Sequence, residues 1–387
     1  MSEEITTFSL FLLLQRTRFI TYHLHTKFYK RSKIMFVQGV KQMRRRLRDW
    51  GVKIGRFPTG QRNLITDVKG ITVGNFTLIK DEPHIARTGL TVIMPHEKDI
   101  YDENVFASTF VINGFGKSIG IIQIEEMGLL ESPIVITTTL NVGKIADSLV
   151  SYMISKHRDL ITFNPVVLEC NDGKLNDSRR RWLGEKELIG AIEKLSEDFE
   201  LGAVGAGTGM VAFGFKSGIG SSSRIVKNGN EKYTVGVLTV PNFGRRTDLM
   251  IKGIEIGKMF EGKEENVYGS IIIIIATDAP LIPKQLKRLC VRATHRLART
   301  GSRSTNHSGD VVLAFSNAVK LPRKPTNTVS LDYIPNDLPV FQDLMDAVVE
   351  ATEEAILDAL FMAQDMIGVN DTEYKALPVE QILKFLI

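Results

Sequence analysis

The residues best suited to chemistry stand at 269–270, where glycine and serine precede five consecutive isoleucines (Ile271 to Ile275) and then Ala276-Thr277-Asp278. A run of β-branched residues without polar alternation reads as a strand buried on both faces. Asn266-Val267-Tyr268-Gly269 in front of it is turn-like, so the sequence places the Ser270 hydroxyl between a loop and a rigid strand. A hydroxyl held there can attack the Gly269 carbonyl, cut the chain, and leave Ser270 as a new N-terminus whose α-amine serves as its base. Taken alone, Gly-Ser reads more simply as a turn into a core strand, so the case for chemistry rests on the rest of the chain.

Three other places offer polar side chains at strand ends. The strand expected over 233–240 runs into Pro241-Asn242-Phe243-Gly244, where Asn242 can donate to a developing oxyanion or simply close a turn. The stretch 301–310 is small and polar and leads into a strand over 311–316, so Ser308 and Asp310 can contact the Ser270 amine or belong to a solvated loop. A strand ending near Glu169 is followed by Asn171-Asp172-Gly173, a turn in which Glu169 can hold a substrate ammonium and Asn171 can line the site. The alternative there is a turn whose side chains cap their own backbone. Cys170 and Cys290 are the two cysteines, and neither has a further cysteine or histidine at zinc-ligand spacing. No metal or cofactor is expected.

Around these residues the pattern is one of short strands broken by glycine. A turn between strands is expected over 63–74, further strands over 89–95 and 133–139, and a helix over 142–156. An amphipathic helix is expected over 185–198, with Leu188, Ile189, Ile192 and Leu195 on one face. Gly116-Lys117-Ser118 resembles a phosphate loop, but Val111 stands where that motif needs its first glycine. The glycine-rich run 202–209 fails the dinucleotide spacing and is read as close backbone approach, continuing as strand over 210–215. Pro283 opens a helix with Leu286, Leu289, Cys290, Ala293 and Leu297 inward and His295 outward. A last helix over 338–366 is read as structural, with Leu344, Ala347, Val348, Ala351, Ala355 and Ala359 on its packing face and the acids opposite.

The chain has 387 residues, 43% of them hydrophobic, enough for a substantial core. It contains no apolar run of the roughly 18 residues needed to span a bilayer. Its formal charge of +5 is carried by residues 1–42, which hold seven Lys/Arg against two Glu. The neutral remainder argues against nucleic acid or membrane as the partner of the body. Residues 1–42 are therefore separated as a basic extension, without a fold of its own or preceding a later start codon, from a single domain over 43–387. The low cysteine content fits a reducing, cytoplasmic setting.

Residues 63–74, 113–143 with Ile124-Glu125-Glu126-Met127-Gly128-Leu129-Leu130-Glu131-Ser132-Pro133 at their centre, 169–177, 202–209, 241–244, 269–280 and 308–316 together resemble the L-aminopeptidase/D-esterase-amidase family, which includes the β-aminopeptidases. The resemblance spans 51–368 in order. It implies an α/β fold, a four-layer αββα sandwich of N-terminal-nucleophile-hydrolase type, self-cleaved between Gly269 and Ser270 into chains 43–269 and 270–387. It further implies Ser270 as nucleophile, Asn242 as oxyanion donor, and Ser308 and Asp310 as partners of the amine. The substrate would be a small peptide, amide or ester with a free amino group, and the enzyme an oligomer of processed heterodimers. The family often has glutamate at the position of Asp310 and an aromatic residue at that of Asn171. An acyl transferase like the ornithine acetyltransferases, and an unprocessed scaffold without activity, are the alternative readings.

Overall fold

The computed structural model describes residues 44–260 and 269–387, so the expectations for residues 1–42 and for the turn at 266–268 lie outside the described residues. β1 (Thr72–Lys80), β2 (Ala86–Met94), β5 (Ile134–Thr138) and β6 (Val166–Cys170) form one sheet in the order β1-β2-β5-β6. The other sheet has six strands, β4-β3-β12-β11-β10-β9, drawn from β3 (Glu103–Gly114), β4 (Leu129–Leu130), β9 (Gly220–Asn228), β10 (Glu231–Asn242), β11 (Ser270–Thr277) and β12 (Gly309–Pro322). A short hairpin, β7 (Val211–Ala212) and β8 (Phe215–Lys216), stands apart from both.

Period-two alternation in the central strands fills two different cores. Ile272, Ile274 and Ala276 of β11 join Leu238, Val240, Leu313 and Phe315 in an apolar layer with Ile134, Ile136, Val166 and Leu168 of the smaller sheet. Ile271, Ile273 and Ile275 point the other way, onto the helices Pro283–Arg299 and Pro339–Phe361. The outer face of the smaller sheet carries Leu90, Val92, Val135 and Val167 against the helices Val142–Lys156 and Glu185–Ile192. The layers are thus helix, sheet, sheet, helix. The isoleucine strand is buried along its whole length, as its composition demands.

Three expectations change. The helix begun at Glu185 ends at Ile192, because the Ser196 backbone is drawn into pairing with Val73 at 2.9 and 3.1 Å. The strand expected over 210–215 is instead a tight hairpin, with Phe213 and Gly214 both at positive φ in its two-residue turn. The last helix runs Pro339–Phe361, and four of its six acidic residues do not face water: Glu350, Glu353, Glu354 and Asp358 are buried, while Asp343 and Asp346 are partly exposed.

Those carboxylates are buried because arginines reach them. The fully buried Arg224 of β9 pairs with Glu354 at 2.7 Å and Glu350 at 3.2 Å. Arg48 reaches Glu354 at 2.7 Å and Arg46 reaches Asp358 at 2.7 Å. Burial pushes the Glu354 carboxyl up, but Arg224 and Arg48 outweigh it and hold it below its ordinary range. Burial raises Asp358 to about 6, against the pull of Arg46.

Removing one partner of such a set strands a buried charge, a cost of about 3–5 kcal/mol. Arg224→Met should lower the free energy of unfolding in urea by that order. Asp358 binds its proton more tightly folded than unfolded, so its contribution is fully present below about pH 4 and lost as pH rises through about 6. Asp358→Asn should accordingly flatten the dependence of Tm on pH across that window.

Candidate active site

Strand register assembles the site. Asn242, the last residue of β10, lies opposite Ser270, the first of β11, in an antiparallel pair. On the other edge β11 runs parallel to β12 and Ser270 faces Gly309, which puts Ser308 and Asp310 on either side of that partner. Ser270 shares the strand parity of Ile272, the parity directed between the sheets. Its hydroxyl accepts from the Gly309 N–H at 3.4 Å, and the same N–H lies 3.3 Å from the Gly269 carbonyl oxygen.

Asn242 is a strand residue and not a turn residue, and its side chain is held at both ends. The Val211 N–H donates to its Oδ1 at 3.1 Å, and its Nδ2 donates to the Asn171 carbonyl at 2.8 Å. One of its two N–H bonds remains for an incoming oxygen. The loop 301–310 is not simply solvated: Ser308 and Asp310 are buried, and the Ser308 hydroxyl donates to Asp310 Oδ1. Asn113, opposite Asp310 on β3, donates to its Oδ2 at 3.3 Å and to the Ser304 carbonyl at 2.8 Å. Burial raises the Asp310 carboxyl above its ordinary range, with Ser308 and Asn113 opposing that shift.

Glu169 comes from the other sheet, near the end of β6. It is buried, accepting the Lys117 N–H at 3.0 Å on one oxygen and the Thr139 hydroxyl on the other. The Gly-Lys-Ser stretch thus cradles a carboxylate, not a phosphate. Asn171 realises the turn-capping alternative, since its side chain accepts from the Gly173 N–H at 2.8 Å. The turn behind it is fixed by buried Asp172, which takes the Thr138 hydroxyl at 2.7 Å and the Asn176 amide at 3.1 Å. Burial lifts Asp172 to about 6.

Ser270, Gly269, Asn242, Glu169, Asn171 and Thr139 all line one cleft of about 430 Å³ whose rim includes Phe115, Lys117, Lys174 and His307. Asn113, Lys117 and Thr139 escape a reading of sequence, because each acts through a backbone group or through a partner far along the chain. Asp99, Asp102 and His157 form a mainly exposed group that does not line this cleft, whose one carboxylate is Glu169. A buried hydroxyl, a side-chain amide with a spare N–H, a backbone N–H and a carboxylate across a cleft are groups of the kinds that acyl transfer from amine-bearing substrates uses.

Comparison with known proteins agrees. The chain is 36% identical to the β-peptidyl aminopeptidase BapA of Sphingosinicella xenopeptidilytica over 366 residues, covering 88% of this chain and 90% of that protein. A protein of Pyrococcus horikoshii OT3 superposes with a TM-score of 0.84 at 45% identity, covering 88% of this chain and 98% of its own. The L-aminopeptidase D-Ala-esterase/amidase of Ochrobactrum anthropi, described as a prototype serine aminopeptidase and a variant of the Ntn hydrolase fold, gives 0.81 at 35% identity over 87% of this chain and 96% of its own. Such a fold and such relatives define a serine aminopeptidase or amidase. Residues 63–374 match peptidase family S58, and the chain belongs to that family. The acyltransferase and scaffold readings are set aside accordingly.

Gly309 tolerates no side chain: a Cβ there would lie 2.8 Å from the Gly116 Cα and 3.4 Å from Ser270 Oγ. Gly309→Ala should push the 116–117 backbone away from both strand and Glu169. Loss of peptidase activity by at least about tenfold in a variant of near-native circular dichroism is the expected result, tenfold being about 1.4 kcal/mol of misplacement.

Proposed function

We propose that the chain cuts itself between Gly269 and Ser270 and that the resulting Ser270 N-terminus removes N-terminal residues from small peptides, amides or esters. The observation that carries this reading is the placement of Ser270 between Asn242 and the Gly309 N–H at the floor of the cleft. In the self-cleavage step, Ser270 Oγ adds to the Gly269 carbonyl carbon, polarised by the Gly309 N–H. The Gly269–Ser270 C–N bond then breaks and the Ser270 nitrogen takes up the proton. Water hydrolyses the resulting ester, leaving a Gly269 carboxylate, a free hydroxyl and a free α-amine.

In turnover the α-amine, with a reference pKa of about 7.7–8.0, accepts the Ser270 proton as Oγ attacks the substrate carbonyl. The spare Asn242 N–H and the Gly309 N–H receive the oxyanion, a donor of this kind being worth roughly 10²–10³ in rate. The amine returns its proton to the leaving group, and water releases the acyl residue. Ser308, tied to Asp310, would accept a hydrogen bond from the amine and hold it in register. Glu169 would take the substrate ammonium, because it is the carboxylate that lines the cleft, whereas Asp310 lies outside that lining. The name of the Sphingosinicella relative supports β-amino residues among the substrates. A cytoplasmic oligomer of processed heterodimers is part of the same reading. Among the described residues no helix is long and apolar enough to cross a membrane.

Intact-mass measurement of the purified protein beside Ser270→Ala tests the proposal directly. Wild type should give two chains meeting at Gly269/Ser270, and the variant one uncut, inactive chain. Cleavage and activity in the alanine variant would exclude Ser270 as nucleophile.

A further inference from the structure

Lys216 has no role in the chemistry above, yet it is fully buried. Among the described residues no carboxylate forms an ion pair with its ammonium. It donates to three carbonyls instead, those of Met210 at 2.9 Å, Gly207 at 3.4 Å and Ser217. Burial lowers it to about 7. An ammonium has three N–H donors, so all three are used; the Met210 and Gly207 carbonyls also accept the N–H groups of Ser217 at 3.0 Å and Met210 at 3.2 Å, so the ammonium ties the backbone bonds of the turn to the Ser217 carbonyl.

The three carbonyls belong to one segment, which runs from the glycine-rich turn at 205–207 through the β7–β8 hairpin. Two backbone N–H groups of this segment leave the hairpin for the strand end beside Ser270. Val211 donates to Asn242 Oδ1 at 3.1 Å, and Phe213 donates to the Phe243 carbonyl at 2.7 Å. Gly269 packs so closely there that a Cβ on it would lie 2.7 Å from the Phe243 Cα. The hairpin is only two residues per strand, too short to hold its shape unaided.

We propose that Lys216 is a positioning residue for the oxyanion donor: it pins the 207–217 segment so that the Val211 N–H fixes the Asn242 amide with its spare N–H toward Ser270. The inference rests on the reading of Asn242 as oxyanion donor. A lysine serves where a hydrophobic residue would not, because one ammonium can gather three carbonyls that the tight turn leaves pointing inward.

The test compares Lys216→Met, Asn242→Ala and the double variant, in the full-length chain. Readouts are the extent of Gly269–Ser270 cleavage by intact mass, Tm, and kcat and KM per processed chain on a β-alanyl or alanyl amide. Lys216→Met should lower kcat by roughly 10- to 100-fold with KM within about twofold, short of the loss from removing the donor itself. Added to Asn242→Ala it should change kcat by less than about twofold, because both act through one amide. Lys216→Arg should recover part of kcat, since a planar guanidinium meets some but not all of the three carbonyls. A normal kcat in Lys216→Met, or equal fold losses in both backgrounds, would overturn the proposal and leave a purely structural lysine. A normal kcat in Asn242→Ala would instead refute the oxyanion reading beneath it. If Lys216→Met does not accumulate as folded protein, Val211→Pro removes the same donor with the lysine intact, and the same two comparisons decide.

Discussion

A strand with no solvent face needs a layer on each side and a neighbour on each edge, and β11 imposes that demand on the whole molecule. All eight of its residues are buried. Its odd isoleucines require the helices Pro283–Arg299 and Pro339–Phe361, and its even ones require the second sheet. Because both faces are apolar, a one-residue slip would not expose a hydrophobic stripe as in an ordinary amphipathic strand. What such a slip would do is separate Ser270 from Asn242 and Gly309. The register is therefore fixed by the neighbours at the strand's mouth, where the polar groups stand, as much as by the isoleucines.

The frame was legible in the sequence wherever periodicity alone decides. The helix at Val142–Lys156 has the limits its pattern implies, and the strands ending at Asn242 and near Glu169 deliver those residues to a common cleft. What escaped were arrangements that depend on partners distant in sequence. The acids of the last helix look like a solvated face until Arg46, Arg48 and Arg224 are brought beside them from 126 to 312 positions away. Lys117 acts through its backbone N–H, which no side-chain pattern announces. Asn171, singled out for its side chain, contributes its carbonyl, and the side chain closes its own turn.

The site draws on both sheets, Glu169 from one and Ser270 from the other. Sheets packed face to face lie about 10 Å apart, so the interval between Glu169 and Ser270 is set by the apolar filling between them. Ile272, Ile274, Val166 and Leu168 make up that filling. Substrate reach is thus a property of the core as well as of the cleft's lining. Buried Asp172 and Lys216 serve the same precision from opposite sides of Asn242, one fixing the turn that accepts from it and the other the turn that donates to it.

The arginine–carboxylate set has one more property, which follows from its position in the chain. Arg46, Arg48 and Arg224 precede residue 269, and their partners Glu350, Glu354 and Asp358 follow residue 270. A break between those two residues would turn a network within one chain into a bond between two. The halves would then meet across what is in effect a domain core cut in two, and separating them would expose charge and isoleucine together. Neither piece would have a stable existence without the other, so dilution alone would not part them and mixing with a related enzyme would not exchange them.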